Sequence, residues 1–147
     1  MNESISNAMV LTIVIIVIGV SSAITLFSLG YSKTYKIKNK IIDIIEQHGT
    51  YNDGVVRDDI EAYLRSANYS SEASYTGGSS KCPKLDGQNA INTLKTYTFC
   101  IYKHETIKGD YYTVKAFQTY NFPLIGDFIK VRYAITGDTQ VLFELQP

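Results

Sequence analysis

This chain of 147 residues has few histidines, few cysteines and no net charge. It has two His, two Cys, and 14 basic side chains against 14 acidic ones. Nucleic-acid binders carry a marked excess of Lys and Arg. The zero net charge therefore argues against nucleic acid as a partner, and the length allows about one domain.

The two cysteines, Cys82 and Cys100, match neither a Cys-x-x-Cys pair nor a zinc-binding spacing. We therefore expect no metal site and no redox catalysis. Outside the cytoplasm the pair would form a disulfide worth about 3 kcal/mol in the chain-entropy treatment, whereas in the cytoplasm the two would be unrelated thiols. We predict the disulfide.

No catalytic constellation accompanies the two histidines, His48 and His104, because no Ser, Cys or acidic partner stands at a recognisable spacing. Asp58, Asp59 and Glu61 fit the solvated first turns of a short helix, where acids favour the positive end of the dipole. We therefore expect that the protein is not an enzyme, with no catalytic residue and no cofactor.

The sequence does contain a long uncharged run, the 29 consecutive residues between Glu3 and Lys33. From Ala8 to Leu29 this run would be roughly 33 Å long as a helix, enough to cross a bilayer core of about 30 Å. Residues 1–32 are therefore predicted to be a short N-terminal tail and a transmembrane helix. We refer to residues 8–29 as the span.

Two alternatives compete with a retained anchor. A cleavable signal peptide could use the small residues Ser21-Ser22-Ala23, but the region before the run carries Glu3 and no basic residue, and the apolar run continues to Leu29. The other alternative is a buried core helix of a soluble protein. A domain this small could hardly cover the 22 positions of the span on all sides.

The helical pattern continues beyond the membrane as a stalk, residues 33–48, in which polar and charged residues alternate with an apolar stripe. The sequence His48-Gly49 is a typical helix end. A single helix from about Ile5 to His48 is one interpretation, and two helices separated by a bend at Gly30 is the other. The stripe consists of Ile37, Ile41, Ile44 and Ile45.

The remaining domain, within residues 33–147, is predicted to hold a short helix at 54–67, a Ser/Gly-rich loop at 69–90 and a sheet at 94–146. Four runs of alternating apolar residues indicate an antiparallel meander, with a hairpin turn at 136–139 before the last run. The stalk would cover the sheet, which gives an α+β fold. The core is predicted to contain the stalk isoleucines with Tyr97, Phe99, Val114, Val131, Tyr133 and Phe143.

Tyrosine is abundant, and all 12 Tyr lie outside the span. Tyr102 and Tyr111 are predicted on the outer face of the sheet, where they could form a contact surface, because tyrosine is enriched at interfaces. The alternative is that tyrosine is merely a good strand former.

This layout, together with the segments Tyr112–Asp127, Ile135–Gln140 and Phe143-Glu144, resembles the pilin-like proteins of type IV filament systems. More narrowly, it is similar to the TadE-like minor pseudopilins of tight-adherence pilus loci. The resemblance implies a membrane-anchored structural subunit whose partners are the bilayer, other pilin-like subunits and the pilus assembly machinery. It also implies that Glu3 pairs with the N-terminal amine of a neighbouring subunit.

The chain departs from that pattern at its N-terminus, where no Gly precedes Glu3 at the prepilin-peptidase spacing. Four lysines follow the span closely and favour a cytoplasmic domain by the positive-inside rule. Cysteine usage and the resemblance favour the outside, and we expect the C-terminal domain to be extracytoplasmic. The alternative function is a single-span extracytoplasmic binding or sensor domain that enters no filament.

Overall fold

A computed structural model describes residues 2–52, 54–69, 82–92, 99–121 and 130–143, with 2–6, 119–121 and 130–132 described by their backbone alone. The fold is α+β, as predicted, with an antiparallel sheet of strand order β1-β2-β3. The described sheet has three strands, whereas the sequence predicts four. The elements are α1 (Asn2–His48), α2 (Val55–Ser66), β1 (Phe99–Thr106), β2 (Gly109–Asn121) and β3 (Lys130–Asp138).

The first helix, α1, is continuous for 47 residues, a length of about 70 Å. Residues on both sides of Gly30 belong to this one helix, so the alternative with two helices is wrong. The helix ends at the predicted position, because Gly49 adopts a φ of +71° and its N–H bonds to the carbonyl of Glu46 at 3.2 Å. A left-handed glycine is a common way to terminate a helix.

The stalk packs against α2 and the sheet, and the apolar stripe supplies the contact. All four of its isoleucines are buried, and the same cluster contains three apolar residues of α2 and four of the sheet. Full burial of one such side chain contributes about 1.5–3 kcal/mol. The other members of this cluster include Val56, Ile60, Leu64, Phe99, Ile101, Tyr112 and Val114.

The second helix and the sheet both run back along α1 toward the span. Near the end of α1, His48 pairs with Asp59 and Thr50 hydrogen-bonds Tyr112. Closer to the span, Thr34 donates to the side chain of Gln118 at 3.3 Å. Tyr112 comes before Gln118 along β2, whereas its partner Thr50, just beyond α1, comes after Thr34. The strand β2 is therefore antiparallel to α1.

The predicted turn at 136–139 is wrong, because β3 continues through Gly137 and Asp138. Thr139 still pairs with Tyr112: its N–H donates to the carbonyl of Tyr112, and its hydroxyl accepts the N–H of Tyr112. The chain then holds one extra residue before the next pair, which makes a bulge. Beyond the bulge Leu142 bridges Asp110. The chain thus stays beside β2 instead of reversing, and residues 144–147 of the predicted fourth run lie outside the described residues.

Because of the bulge, the core differs from the predicted one after Thr139. An extra residue in one strand reverses which side chains face inward. Leu142 therefore packs against the core, and Phe143, which is predicted to be buried, is 70 % exposed. Tyr133 is half-buried and lies against α1 near the span. Tyr97 and the side chain of Val131 lie outside the described residues.

Candidate functional site

The span presents its apolar side chains outward on all sides. Its large apolar residues are between 44 % and 68 % exposed. An exposed apolar surface of this size marks an interaction surface or a membrane contact. Its members are Met9, Val10, Leu11, Ile13, Val14, Ile15, Ile16, Val17, Ile18, Val20, Ile24, Leu26, Phe27 and Leu29.

Three of the five hydroxyl side chains within the span are hydrogen-bonded to the helix itself. Thr12 donates to the carbonyl of Ala8 at 2.9 Å, and Ser22 donates to that of Ile18 at 2.8 Å. Thr25 makes the same four-residue contact. Because an unpaired hydroxyl is costly in hydrocarbon, these bonds make the helix compatible with a lipid environment.

One helix in the described part of the chain, starting at Asn7 and ending at His48, is long and apolar enough to cross a membrane. Its most apolar window is unburied, which distinguishes it from the core helix of a soluble protein. The span therefore fits a single transmembrane helix.

A group of aromatic rings joins the end of the span to the sheet. The ring of Tyr133 in β3 lies 5.4 Å from that of Phe27 and 6.2 Å from that of Tyr31, centroid to centroid. Lys33, two residues after Tyr31, donates to the carbonyl of Asn68 at 3.2 Å. The folded domain thus begins where the span ends, with no free segment of helix between them.

The stalk carries a buried lysine, Lys38, whose position depends on a glycine in the sheet. Its Nζ lies 4.6 Å from the ring centroid of Tyr35, a cation–π distance. A Cβ added to Gly137 would come within 2.7 Å of that Nζ and 2.8 Å of Cδ. Gly137 therefore provides the space in which the Lys38 side chain crosses β3.

The predicted disulfide is present and joins Cys82 to Cys100. It fixes residues 82–92 over β1, where the amide of Asn92 bonds to the carbonyl of Phe99 and to the N–H of Ile101. The side chain of Asn92 thus takes the place of a neighbouring strand. It also covers the edge of β1, which would otherwise be open to pairing with another chain.

Tyr102 belongs to this covered region and is fully buried. Its hydroxyl donates to the carbonyl of Pro83. Of the two interpretations of Tyr102, the exposed contact surface is therefore wrong, because residues 82–92 occupy the outer face of β1. Tyr111 remains half-buried and stacks on His104 with 4.7 Å between ring centroids.

The histidines and the acidic residues of α2 do not form a single cluster. His48 contacts Asp59 at 2.9 Å, whereas His104 lies on the β1–β2 hairpin. Asp58 and Glu61 pair with Arg57. The described residues contain no group of three His, Cys, Asp or Glu side chains that could hold a metal ion, and the pairs bring no nucleophile to a base.

The hairpin holds one perturbed lysine. Hydrogen bonds to Asp110 at 2.7 Å and Glu105 at 3.1 Å raise the pKa of the Lys103 ammonium above its usual value. The side chain of Lys103 is 37 % exposed. This cluster is an exposed ion-pair network that stabilises the hairpin.

Of the predicted assembly and core residues, Glu3 lies in α1, and its side chain is outside the described residues. The four stalk isoleucines, Phe99 and Val114 are brought together in one buried cluster. Sequence reasoning missed Asn92 and Thr139, whose side chains replace strand hydrogen bonds. The only signal for them is that both are polar residues beside apolar runs, which is common in loops.

No family model, no curated protein and no solved structure matches this chain. The candidate site is therefore defined by geometry alone: an exposed apolar span continuous with a stalk that is buried on its own domain.

Proposed function

We propose that this protein is a membrane-anchored, pilin-like structural subunit of a pilus or secretion-type assembly. It would act through packing of its helix and surface contacts, without catalysis. The observation that carries the proposal is α1 itself: one unbroken helix of 47 residues, apolar and exposed in the span, then buried on the sheet in the stalk.

Because the span is apolar and exposed, it could be surrounded either by lipid or by the spans of other subunits. In a membrane the span is surrounded by lipid, whose hydrocarbon accepts it because the backbone hydrogen bonds are internal. In a filament, spans of neighbouring subunits would replace the lipid as the apolar surroundings. Helix packing between subunits would then offset the free-energy cost of leaving the bilayer.

The packing of the stalk supports a constant orientation of the domain relative to the span. Its isoleucines and Lys38 hold α2 and the sheet in place, so a subunit fixed by its span would present one constant outer surface. In this scheme Glu3 would pair with the N-terminal amine of a neighbour, and the C-terminal domain would lie outside the cytoplasm. The disulfide is compatible with that side, because disulfides persist in oxidising compartments.

Photocrosslinking tests the assembly directly. A photoreactive amino acid at Ile15, exposed in the span, is expected to give a ladder of cross-linked multimers in the native host. The matched control places it at Ala62, which is exposed on α2. A ladder from Ile15 with little from Ala62 supports packing through the span, whereas a strictly monomeric product at Ile15 favours the single-span binding or sensor domain.

Protease treatment of intact spheroplasts tests the side of the membrane. Cleavage of the C-terminal domain is expected, while a cytoplasmic marker remains intact. A domain that is degraded only after lysis would contradict the extracytoplasmic location and, with it, the pilin-like proposal.

A further inference from the structure

Three contacts set the height of the folded domain relative to the span. Thr34 of α1 bonds Gln118 of β2, and Lys33 bonds the carbonyl of Asn68 beyond α2. Tyr133 of β3 contacts Phe27, which lies inside the span. Both the second helix and the sheet therefore reach the level at which the apolar run ends.

The distances along α1 place this level within the lipid headgroups. Thr34 lies five residues beyond Leu29, a rise of about 7.5 Å. A bilayer of about 40–45 Å with a core of about 30 Å leaves roughly 5–8 Å of polar region on each side. If the span fills the core, the bond between Thr34 and Gln118 lies at the outer boundary of that region.

The ribbon formed by β2 and β3 continues past this level toward the membrane. Gln118 pairs with Tyr133, and three residues further on Asn121 pairs with Lys130. At about 3.3 Å per residue, these positions extend the ribbon by roughly 10 Å. Since β2 is antiparallel to α1, that extension runs alongside the span.

The chemistry of the ribbon end fits an interface between water and hydrocarbon. Tyrosine rings such as those of Tyr31 and Tyr133 are enriched at this depth of a bilayer. Residues 122–129 lie outside the described residues, but their sequence contains one charged residue, Asp127, and five large apolar residues. These are Phe122, Leu124, Ile125, Phe128 and Ile129.

We propose that the end of the β2–β3 ribbon, residues 118–121 and 130–133, is a second contact with the membrane. Its partner is lipid of the bilayer that holds the span, at the depth of the headgroups and the first acyl carbons. This inference rests on the proposed membrane anchor and deepens it. Two contacts fix the tilt and rotation of the domain, whereas a single helix would leave its rotation about the helix axis free.

Tryptophan fluorescence tests the contact, because the chain has no Trp of its own. Single variants Tyr133→Trp and Ala134→Trp place the probe near the ribbon end, the second at an exposed position. Phe143→Trp places it near Asp110, at the opposite end of the ribbon, and Leu11→Trp places it within the span. Each full-length variant is reconstituted in phosphatidylcholine vesicles that contain lipid brominated near the top of the acyl chains.

The expected result is a blue-shifted emission and loss of intensity for Tyr133→Trp and Ala134→Trp, with neither change for Phe143→Trp. A Tyr133→Trp chain that loses the near-ultraviolet circular dichroism of the parent is judged by Ala134→Trp alone. Quenching of Leu11→Trp by deeply brominated lipid reports the anchor independently.

The outcomes separate the two proposals. Quenching of Leu11→Trp without quenching at the ribbon end overturns the second contact and retains the anchor. No quenching of Leu11→Trp overturns both. Equal quenching of Phe143→Trp and Tyr133→Trp overturns the assignment to this end of the sheet.

Discussion

The span and the stalk are two parts of one helix, and they differ in what surrounds their apolar side chains. In the stalk the isoleucines form one stripe and lie against α2 and the sheet. In the span apolar residues occupy every face, and nearly all of them are exposed. A helix with one apolar stripe is completed by its own domain, while a helix that is apolar all round needs lipid or other helices.

Substituting one isoleucine by alanine in the stalk and one in the span should give the largest difference in the free energy of unfolding. Ile41→Ala in the stalk removes a fully buried side chain and is expected to lower the free energy of unfolding by about 2–5 kcal/mol. Ile16→Ala, in the exposed span, is expected to leave it unchanged. Urea unfolding in detergent micelles, followed by near-ultraviolet circular dichroism, measures both. Equal losses would show that the span is part of the folded core.

A charge in the span should affect insertion without affecting the fold. Ile18→Arg is expected to disfavour membrane integration by about 2.5–3.5 kcal/mol, the cost of Arg at the centre of an inserting helix. The fraction that resists carbonate extraction from membranes gives the measurement, with Ile18→Leu as the control. Full integration of the Arg variant would contradict a lipid-facing position for Ile18.

One glycine next to the stalk and one in the span should differ in how well they tolerate an added methyl group. Gly137→Ala brings a Cβ within 2.7 Å of Lys38 and is expected to cost about 1 kcal/mol, at the low end for overpacking, because a flexible side chain can move. Gly19→Ala in the span has no heavy atom within 4 Å of the added Cβ and should cost nothing.

Adding Lys38→Ala to Gly137→Ala identifies the contact. The two substitutions should be less than additive in the free energy of unfolding, because Lys38→Ala removes the atoms that the new Cβ meets. Strict additivity would show that the loss at Gly137 has another cause.

The smallest effect is expected at the hairpin between β1 and β2. Because the folded state raises the pKa of Lys103, its contribution is complete below pH 10.5, the value of an unperturbed lysine, and declines as the pH rises further. The side chain is 37 % exposed, so Lys103→Met should cost at most about 1 kcal/mol at pH 7. Unfolding at pH 7 and pH 11, and at low and high salt, measures the decline.

Lys108→Met is the matched control for that prediction. Lys108 is exposed on the same hairpin and forms no ion pair with the residues that the structure describes. Its substitution should not change the free energy of unfolding at either pH. A loss at Lys103 that persists in high salt would point to packing of its aliphatic stem instead of charge.

The parts of the fold that follow from local pattern could be predicted. The stripe of Ile37 to Ile45 gives the buried face of the stalk, and Gly49 gives the end of α1, because both depend on helix geometry alone. The disulfide follows from cysteine usage once the domain is taken to be outside the cytoplasm. The course of the chain after Asp138 could not be predicted, because Gly137-Asp138 has the composition of a turn.

The sequence by itself determined the division of α1, since a run of uncharged residues long enough to cross hydrocarbon is a property of composition and length. It also determined that apolar residues alternate along the strands. Only the tertiary structure decided which of them face inward after Thr139, because the pairing of Leu142 with Asp110 leaves one extra residue after Thr139 and so shifts the register. It likewise decided that Tyr133 lies against Phe27, which brings the sheet to the level of the span, because that contact joins residues more than a hundred positions apart.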